Sequence, residues 1–393
     1  MVTSTADQKR LRWNGARSAL REALPSYLNP GVQILAYLTV IGVLAGIWRL
    51  FSGLGAATNL TDGIPWGIWI GFDFSLIAIS GAGFTMAGLV YVFRQEQFRP
   101  ALRPAVLTGL LGYTAVLALL ILDLGRPDRF YHFLIYWNLH SPLFEISWCV
   151  LLYTTVLLIE VSPQVYERLN RPGPVRIVHA IIVPLAIFAV TLSSLHQSTL
   201  GTLYLNMPYR LNALWYTPLL PLLFFTSSVS TGLSVAIIAY KLATRFTGQQ
   251  AQPRVARGLG SLVAGVLVFY LVLKLGDIIL SGKAPLLLAF DRMSLLMWIE
   301  LIVGVLAPLA IFLAPSVRRT EKGQWAGAIL VVLGTLISRF DATLFAQTAP
   351  PGATYVPHVV EWMTTAGVVA AAALAWYLGA RLLAVFEKPN GHH

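Results

Sequence analysis

Three carboxylates interrupt long apolar runs: Asp73, Glu145 and Glu300. An ionisable side chain well inside such a run costs about 2.5 to 3.5 kcal/mol on insertion scales, so its depth separates function from decoration. At about 1.5 Å per residue, Asp73 lies about eight residues or 12 Å into its run, Glu300 about eight residues and Glu145 about four. A carboxyl group held there can accept and release a proton, or hydrogen-bond a ligand oxygen. Pro65-Trp66-Gly67-Ile68-Trp69 places two indoles about one turn from Asp73. Trp at a bilayer boundary is ordinary. An aromatic wall beside a buried carboxylate, however, suits a flat, apolar ligand with hydrogen-bonding oxygens, and a quinone is such a ligand. Asp123, Arg126, His132, His140, His196, Gln197, Asp291, Arg292, Arg339, Asp341, His358 and Glu361 gather toward the same side, and the other side holds little beyond Glu160 and His179. Asp123 with Arg126, and Lys274 with Asp277, read as pairs that staple helix ends.

The elements that must position these groups follow from composition. The chain has 393 residues, 56% hydrophobic and 11% charged, against roughly 25% charged in an ordinary soluble domain. A soluble globule is excluded. A net charge of +11 would suggest nucleic acid in a soluble protein, but here the distribution of charge points to a lipid bilayer. One Cys and no C-x-x-C leave no thiolate set for an iron–sulfur cluster, a zinc site or a disulfide framework, so any metal is expected in a partner. A b-type haem would need two axial His on facing helices at similar depth. His179 has no companion at its level, and His132, His140, His196 and His358 fall in loops or near helix ends, so no haem is expected.

A span needs about 20 mostly apolar residues, and ten windows qualify: 31 to 53, 65 to 92, 104 to 123, 141 to 161, 174 to 195, 215 to 241, 257 to 280, 293 to 314, 325 to 344 and 359 to 385. The first is too long and starts too late for a signal peptide, and reads as a retained helix. With the N-terminus inside, 20 of the 28 Lys and Arg fall on the cytoplasmic side; the other eight are Arg49, Arg126, Arg129, Arg210, Lys274, Lys283, Arg292 and Arg339. The positive-inside rule then puts both termini in the cytoplasm, with 1–30 as an N-terminal segment and 386–393 as a tail. The closing Gly-His-His is set aside from fold reasoning.

The chain also resembles itself at an offset near 150 residues. Leu122-Asp123-Leu124-Gly125-Arg126 matches Leu273-Lys274-Leu275-Gly276-Asp277, Phe144-Glu145-Ile146 matches Ile299-Glu300-Leu301, and Thr191-Leu192 with Ser194, Thr199 and Leu200 matches Thr335-Leu336 with Ser338, Thr343 and Leu344. Spans two to five would repeat as six to nine. The expected fold is an all-α integral membrane protein with two parallel-related four-helix bundles, 65–200 and 215–344, flanked by spans one and ten.

Gly63-Ile64-Pro65-Trp66-Gly67-Ile68-Trp69-Ile70-Gly71-Phe72-Asp73, Ser141-Pro142-Leu143-Phe144-Glu145, Leu195-His196-Gln197-Ser198-Thr199-Leu200-Gly201 and Met297-Trp298-Ile299-Glu300 resemble the NrfD/PsrC family of quinone-interacting integral membrane proteins. Within it they are similar to the HybB-like subunits of hydrogenase-2-type complexes, over about residues 45 to 370. The resemblance implies a subunit of the bacterial cytoplasmic (inner) membrane that holds no redox metal and docks an extracytoplasmic ferredoxin-like iron–sulfur subunit. Small and large [NiFe] hydrogenase subunits would stand upstream, and menaquinone or ubiquinone would be the electron partner. It further implies a quinone in the first bundle near Asp73 and His196, with Trp66, Trp69 and Gln197 around it and Asp123 and Arg126 in support. Glu145 would be the acid associated with proton movement. If only the first bundle holds the quinone, quinone turnover should be less sensitive to loss of the Glu300 carboxyl than to loss of Glu145. A secondary transporter with an intramembrane acidic site is the alternative, but its site should lie near the midplane, whereas these acids lie toward one face. A purely structural anchor leaves the deep carboxylates without a purpose.

Overall fold

A computed structural model of the protein describes residues 29–350 and 352–387. In hydrocarbon no water is available to backbone N–H and C=O groups, so an apolar run must satisfy them internally as a helix. All ten windows do so: α1 (Pro30–Ser52), α2 (Ile68–Val92), α3 (Glu96–Asp123), α4 (Pro142–Arg168), α5 (Pro172–Leu205), α6 (Leu220–Thr247), α7 (Pro253–Leu280), α8 (Arg292–Leu313), α9 (Glu321–Phe345) and α10 (Val359–Leu382). The protein is an all-α, multi-pass membrane protein. No β-strand forms among the described residues, only a bridge between Leu211 and Gln347. The expected N-terminal segment and tail lie outside the described residues apart from residues 29, 30, 386 and 387.

Prolines open α1, α4, α5 and α7 at their first turns, where a missing N–H costs nothing. The Asn29 side chain caps α1 by accepting from the Val32 N–H at 3.0 Å. Two boundaries differ from expectation in ways that matter. α5 continues to Leu205 rather than stopping at 195. The polar stretch His196 to Thr199 looks like a helix end, but Ser198 and Thr199 donate to the Ser194 and Leu195 carbonyls, and Gln197 donates to the Ile77 carbonyl at 2.8 Å. α2 starts at Ile68 rather than 65, so Asp73 is only about 7 to 8 Å deep at 1.5 Å per residue.

α6 is the central helix, packed against α2, α3, α5, α7, α9 and α10. It buries 78% of its apolar window, against 22% for α1. Thr226, Ser227, Ser228, Ser230, Thr231 and Ser234 allow this crowding because they are small and donate to carbonyls three or four residues back. α2 packs on α3, α3 on α4 and α4 on α5; α6 packs on α7, α7 on α8 and α8 on α9. We refer to the end bearing Lys241, Arg245, Arg254 and Arg319 as the basic face, and to the opposite end as the far face.

The α1 and α10 helices pair outside both groups, and their backbones meet at Gly42 and Gly367. A Cβ at either glycine would strike the other's backbone, so no side-chain rearrangement can relieve it. Gly367→Leu is expected to destabilise the protein by about 1 to 3 kcal/mol through overpacking. Thermal unfolding in detergent, compared with Gly265→Leu at an open position, measures this; equal stability of the two variants would refute close backbone contact.

Candidate functional site

His196, nine residues before the end of α5, sits about 13 Å from the far face and is fully buried. Its Nδ1 lies 2.9 Å from the hydroxyl of Tyr113 on α3, ten residues before that helix ends. The Tyr113 ring in turn packs edge-on against Tyr153 of α4 at 4.9 Å. The buried Nε2 of His196 has no partner among the described residues, and neither does Oε1 of the neighbouring Gln197. One turn nearer the far face, the Thr199 hydroxyl lies 2.6 Å from Glu145 Oε1 and 2.8 Å from the Leu195 carbonyl, so it can donate to either. Glu145 is half-buried at the first turn of α4, at about the depth its run implied. Glu145, Thr199, His196 and Tyr113 thus form a polar file leading inward from the far face.

Asp73 is buried, with Oδ1 unpartnered among the described residues. Asp123 of α3 likewise has an unpartnered Oδ1 among the described residues, and the guanidinium of Arg49 on α1 donates to the Leu124 carbonyl at 2.6 Å. Arg126 is not Asp123's companion. It is exposed and grips Asp128 at 2.9 and 3.0 Å, because Pro127-Asp128-Arg129 turns back immediately after α3. The two indoles also part company. Trp69 is fully buried among Leu119 and Leu122 and donates to Thr364 of α10 at 2.9 Å. Trp66, in the loop before α2, turns toward Tyr204 at 5.8 Å and Phe74 at 6.2 Å. The aromatic wall is therefore Trp66, Phe74, Tyr204 and Phe224 rather than Trp66 with Trp69.

The second group of helices holds its own polar centre. Glu300, buried on α8, accepts from Trp215 Nε1 at 2.8 Å, the Tyr270 hydroxyl at 3.3 Å and Lys274 Nζ at 3.4 Å. Lys274 therefore pairs across helices with Glu300 and not along α7 with Asp277. Asp277 instead accepts from Thr217 at 2.6 Å and Lys283 at 3.4 Å. A π-helical turn follows Glu300 at Ile302–Leu306 and another begins at Asp341, whose two buried oxygens have no partner among the described residues; such turns recur at functional sites. A cavity of about 20 Å³ touches Glu300, Tyr270, Ser227, Ser230, Thr335 and Ser338, room for one water. Arg339 stacks on Phe224 at 3.7 Å and donates to Ser227 at 2.9 Å, so Phe224 joins this centre to the aromatic wall.

Elsewhere, Glu160 and His179 share a cavity of about 20 Å³ with Gln164, Tyr91 and Arg103 toward the basic face. Ser75 and Ser80 bond to their own helix at Gly71 and Leu76. His358 with Glu361, and Asp291, cap the starts of α10 and α8. Sequence reasoning missed Tyr113, Arg49, Thr199 and Tyr204 as neighbours of these sites. Tyr113, Thr199 and Tyr204 are ordinary residues of apolar helices, and although the charge of Arg49 inside an apolar run is a signal, only the rotation of one helix against another reveals what each of the four contacts.

A bis-histidine haem does not fit the described residues. The ring nitrogen of His196 that is engaged meets a phenol, His179 lies 17 residues away on the same helix, and of the two histidines between α3 and α4, His132 is half-buried and His140 exposed.

Residues 56–349 match the family model "Polysulphide reductase, NrfD". The chain is similar, at 33% identity, to a Nitratidesulfovibrio vulgaris protein whose name states no activity, over 93% of this chain and 97% of that one. It is 29% identical to the Escherichia coli K12 "Probable Ni/Fe-hydrogenase 2 b-type cytochrome subunit", over 93% and 95%. It is 30% identical to the "Menaquinone reductase, integral membrane subunit" of N. vulgaris, over 88% and 89%. With ten helices among the described residues long and apolar enough to span a membrane, and a family match across most of its length, the chain belongs to the NrfD family.

Proposed function

We propose that this chain is the membrane anchor and quinone-reactive subunit of a respiratory oxidoreductase, and that it exchanges electrons between an extracytoplasmic iron–sulfur subunit and membrane quinone. The observation that carries this reading is the buried His196, held by Tyr113 through Nδ1 and left with an unpartnered Nε2 inside the helical bundle. Its relatives' names, a menaquinone reductase subunit and a hydrogenase 2 subunit, support the same class of reaction and favour an [NiFe] hydrogenase as the upstream enzyme. The basic face is cytoplasmic in this reading, by the positive-inside rule in a bacterial inner membrane. The far face then meets the iron–sulfur subunit, where Phe130, Ile135, Tyr136, Trp137 and Leu139 expose an apolar patch of the kind that marks protein contacts.

Reducing a quinone takes two electrons and two protons. His196 and Asp73 hydrogen-bond the ring oxygens, Trp66 with Phe74 and Tyr204 walls the ring, Gln197 and Asp123 lie in support, and Glu145 passes protons through Thr199. Arg126, paired with Asp128 at the surface, and Trp69, facing α10, take no direct part.

Asp73→Asn and His196→Leu are each expected to lower quinone turnover of the purified complex by about 100-fold, the lower range of general acid–base contributions. Reduction of an artificial dye through the metal subunits should persist. Dye and quinone activities falling together would mean that these residues hold the complex together instead.

A further inference from the structure

At the basic face Arg99 and Arg103 of α3 are paired within the protein: Arg99 with Glu96, and Arg103 with Glu167 at 2.7 Å and with Glu387. Between α6, α7 and α9, Lys241, Arg245 and Arg319 line a cleft of about 490 Å³, and none forms an ion pair among the described residues; Glu321 is the one carboxylate lining it. Lys241 is half-buried, its ammonium 5.9 Å from the Trp325 ring on α9. A cation over an indole at this level still faces outward for an anion.

The same two helices contribute Ile238, Leu242 and Val332 to an apolar cavity of about 700 Å³ whose other walls are mainly α1 and α10, with Val32, Leu35 and Trp376. Ile238 lies three residues from Lys241, and Val332 lies seven residues, or two turns, from Trp325, so on each helix the polar and apolar linings share one side. A cationic cleft at the water boundary above an apolar cavity at acyl depth matches one kind of molecule. We propose that the α6–α9 crevice binds an anionic phospholipid of the leaflet at the basic face, with its phosphate held by Lys241, Arg245 and Arg319 and an acyl chain in the cavity beside Val332. Charge complementarity selects the headgroup, since a zwitterionic lipid offers these three cations a phosphate already offset by its own ammonium. This proposal is independent of the quinone reading.

The test uses the whole complex extracted in mild detergent. Retained phospholipids are measured by mass spectrometry, and thermal stability is measured with added phosphatidylglycerol, phosphatidylcholine or inorganic phosphate. Phosphatidylglycerol should be retained and should raise the melting temperature, as a ligand of the folded state must; phosphatidylcholine and phosphate should not. Lys241→Gln, Arg245→Gln and Arg319→Gln should each weaken retention about fivefold. The triple variant should abolish the stabilisation, whereas Arg168→Gln with Arg171→Gln and Arg176→Gln, exposed on the same face, should leave it intact. Val332→Phe should displace the lipid without removing a charge. Equal retention in the triple variant and the control, equal stabilisation by phosphatidylcholine, or full stabilisation by free phosphate would each overturn the proposal.

Discussion

Glu300→Gln should lose most of the folded protein unless Lys274 is removed with it. Lys274 and Glu300 are both buried and lie 3.4 Å apart between α7 and α8. Removing one member of such a pair leaves a buried charge without compensation and costs about 3 to 5 kcal/mol, whereas replacing both is often close to neutral. Gln at position 300 can still accept from Trp215 and Tyr270, so the loss should come from Lys274 rather than from the missing hydrogen bonds. Lys274→Met with Glu300→Gln should restore most of the stability, and a double-mutant cycle on thermal unfolding in detergent would measure the coupling. Additive effects of the two single variants would show that the pair contributes nothing. The pair also changes what a comparison of the two repeats can reveal: weak quinone activity in Glu300→Gln implies chemistry at Glu300 only if the double variant, once refolded, remains inactive.

The second large effect belongs to Glu145, which has a hydroxyl partner and no ion pair among the described residues. Glu145→Gln keeps the shape and can still accept from Thr199, so the complex should assemble and bind quinone. What it removes is the exchangeable acid. Quinone turnover should then fall by about 100-fold or more, the range of a lost general acid–base group, while dye reduction continues. Glu145→Asp keeps the acid one methylene further from Thr199 and should retain part of the activity. Proteoliposomes that report quinone reduction and pH change together provide the measurement. Undiminished turnover and coupling in Glu145→Gln would remove Glu145 from the proton route and leave His196 and Asp73 to be supplied from elsewhere.

Hydropathy alone set all ten spans, because the energy of placing a backbone in hydrocarbon depends on local composition and length, both of which are properties of the linear chain. The same reasoning singled out Asp73 and Glu300, since the cost of burying a charge makes its presence in an apolar run informative whatever surrounds it. It misjudged depth wherever polar residues were satisfied by the fold. His196 and Gln197 looked like the end of α5, yet the Ile77 carbonyl and the Tyr113 hydroxyl, contributed by other helices, let the helix run nine residues further. Partners were out of reach for a related reason. Arg126 with Asp123, and Lys274 with Asp277, are neighbours in sequence, but which groups meet depends on how helices rotate and slide against each other, and at 100° per residue a small rotation exchanges one partner for another. Sequence therefore determined how many helices cross the membrane and which charges are expensive. Only the tertiary structure decided that Glu300 answers Lys274, that Trp66 and Trp69 face different helices, and that Tyr113 holds the imidazole on which the proposed chemistry rests.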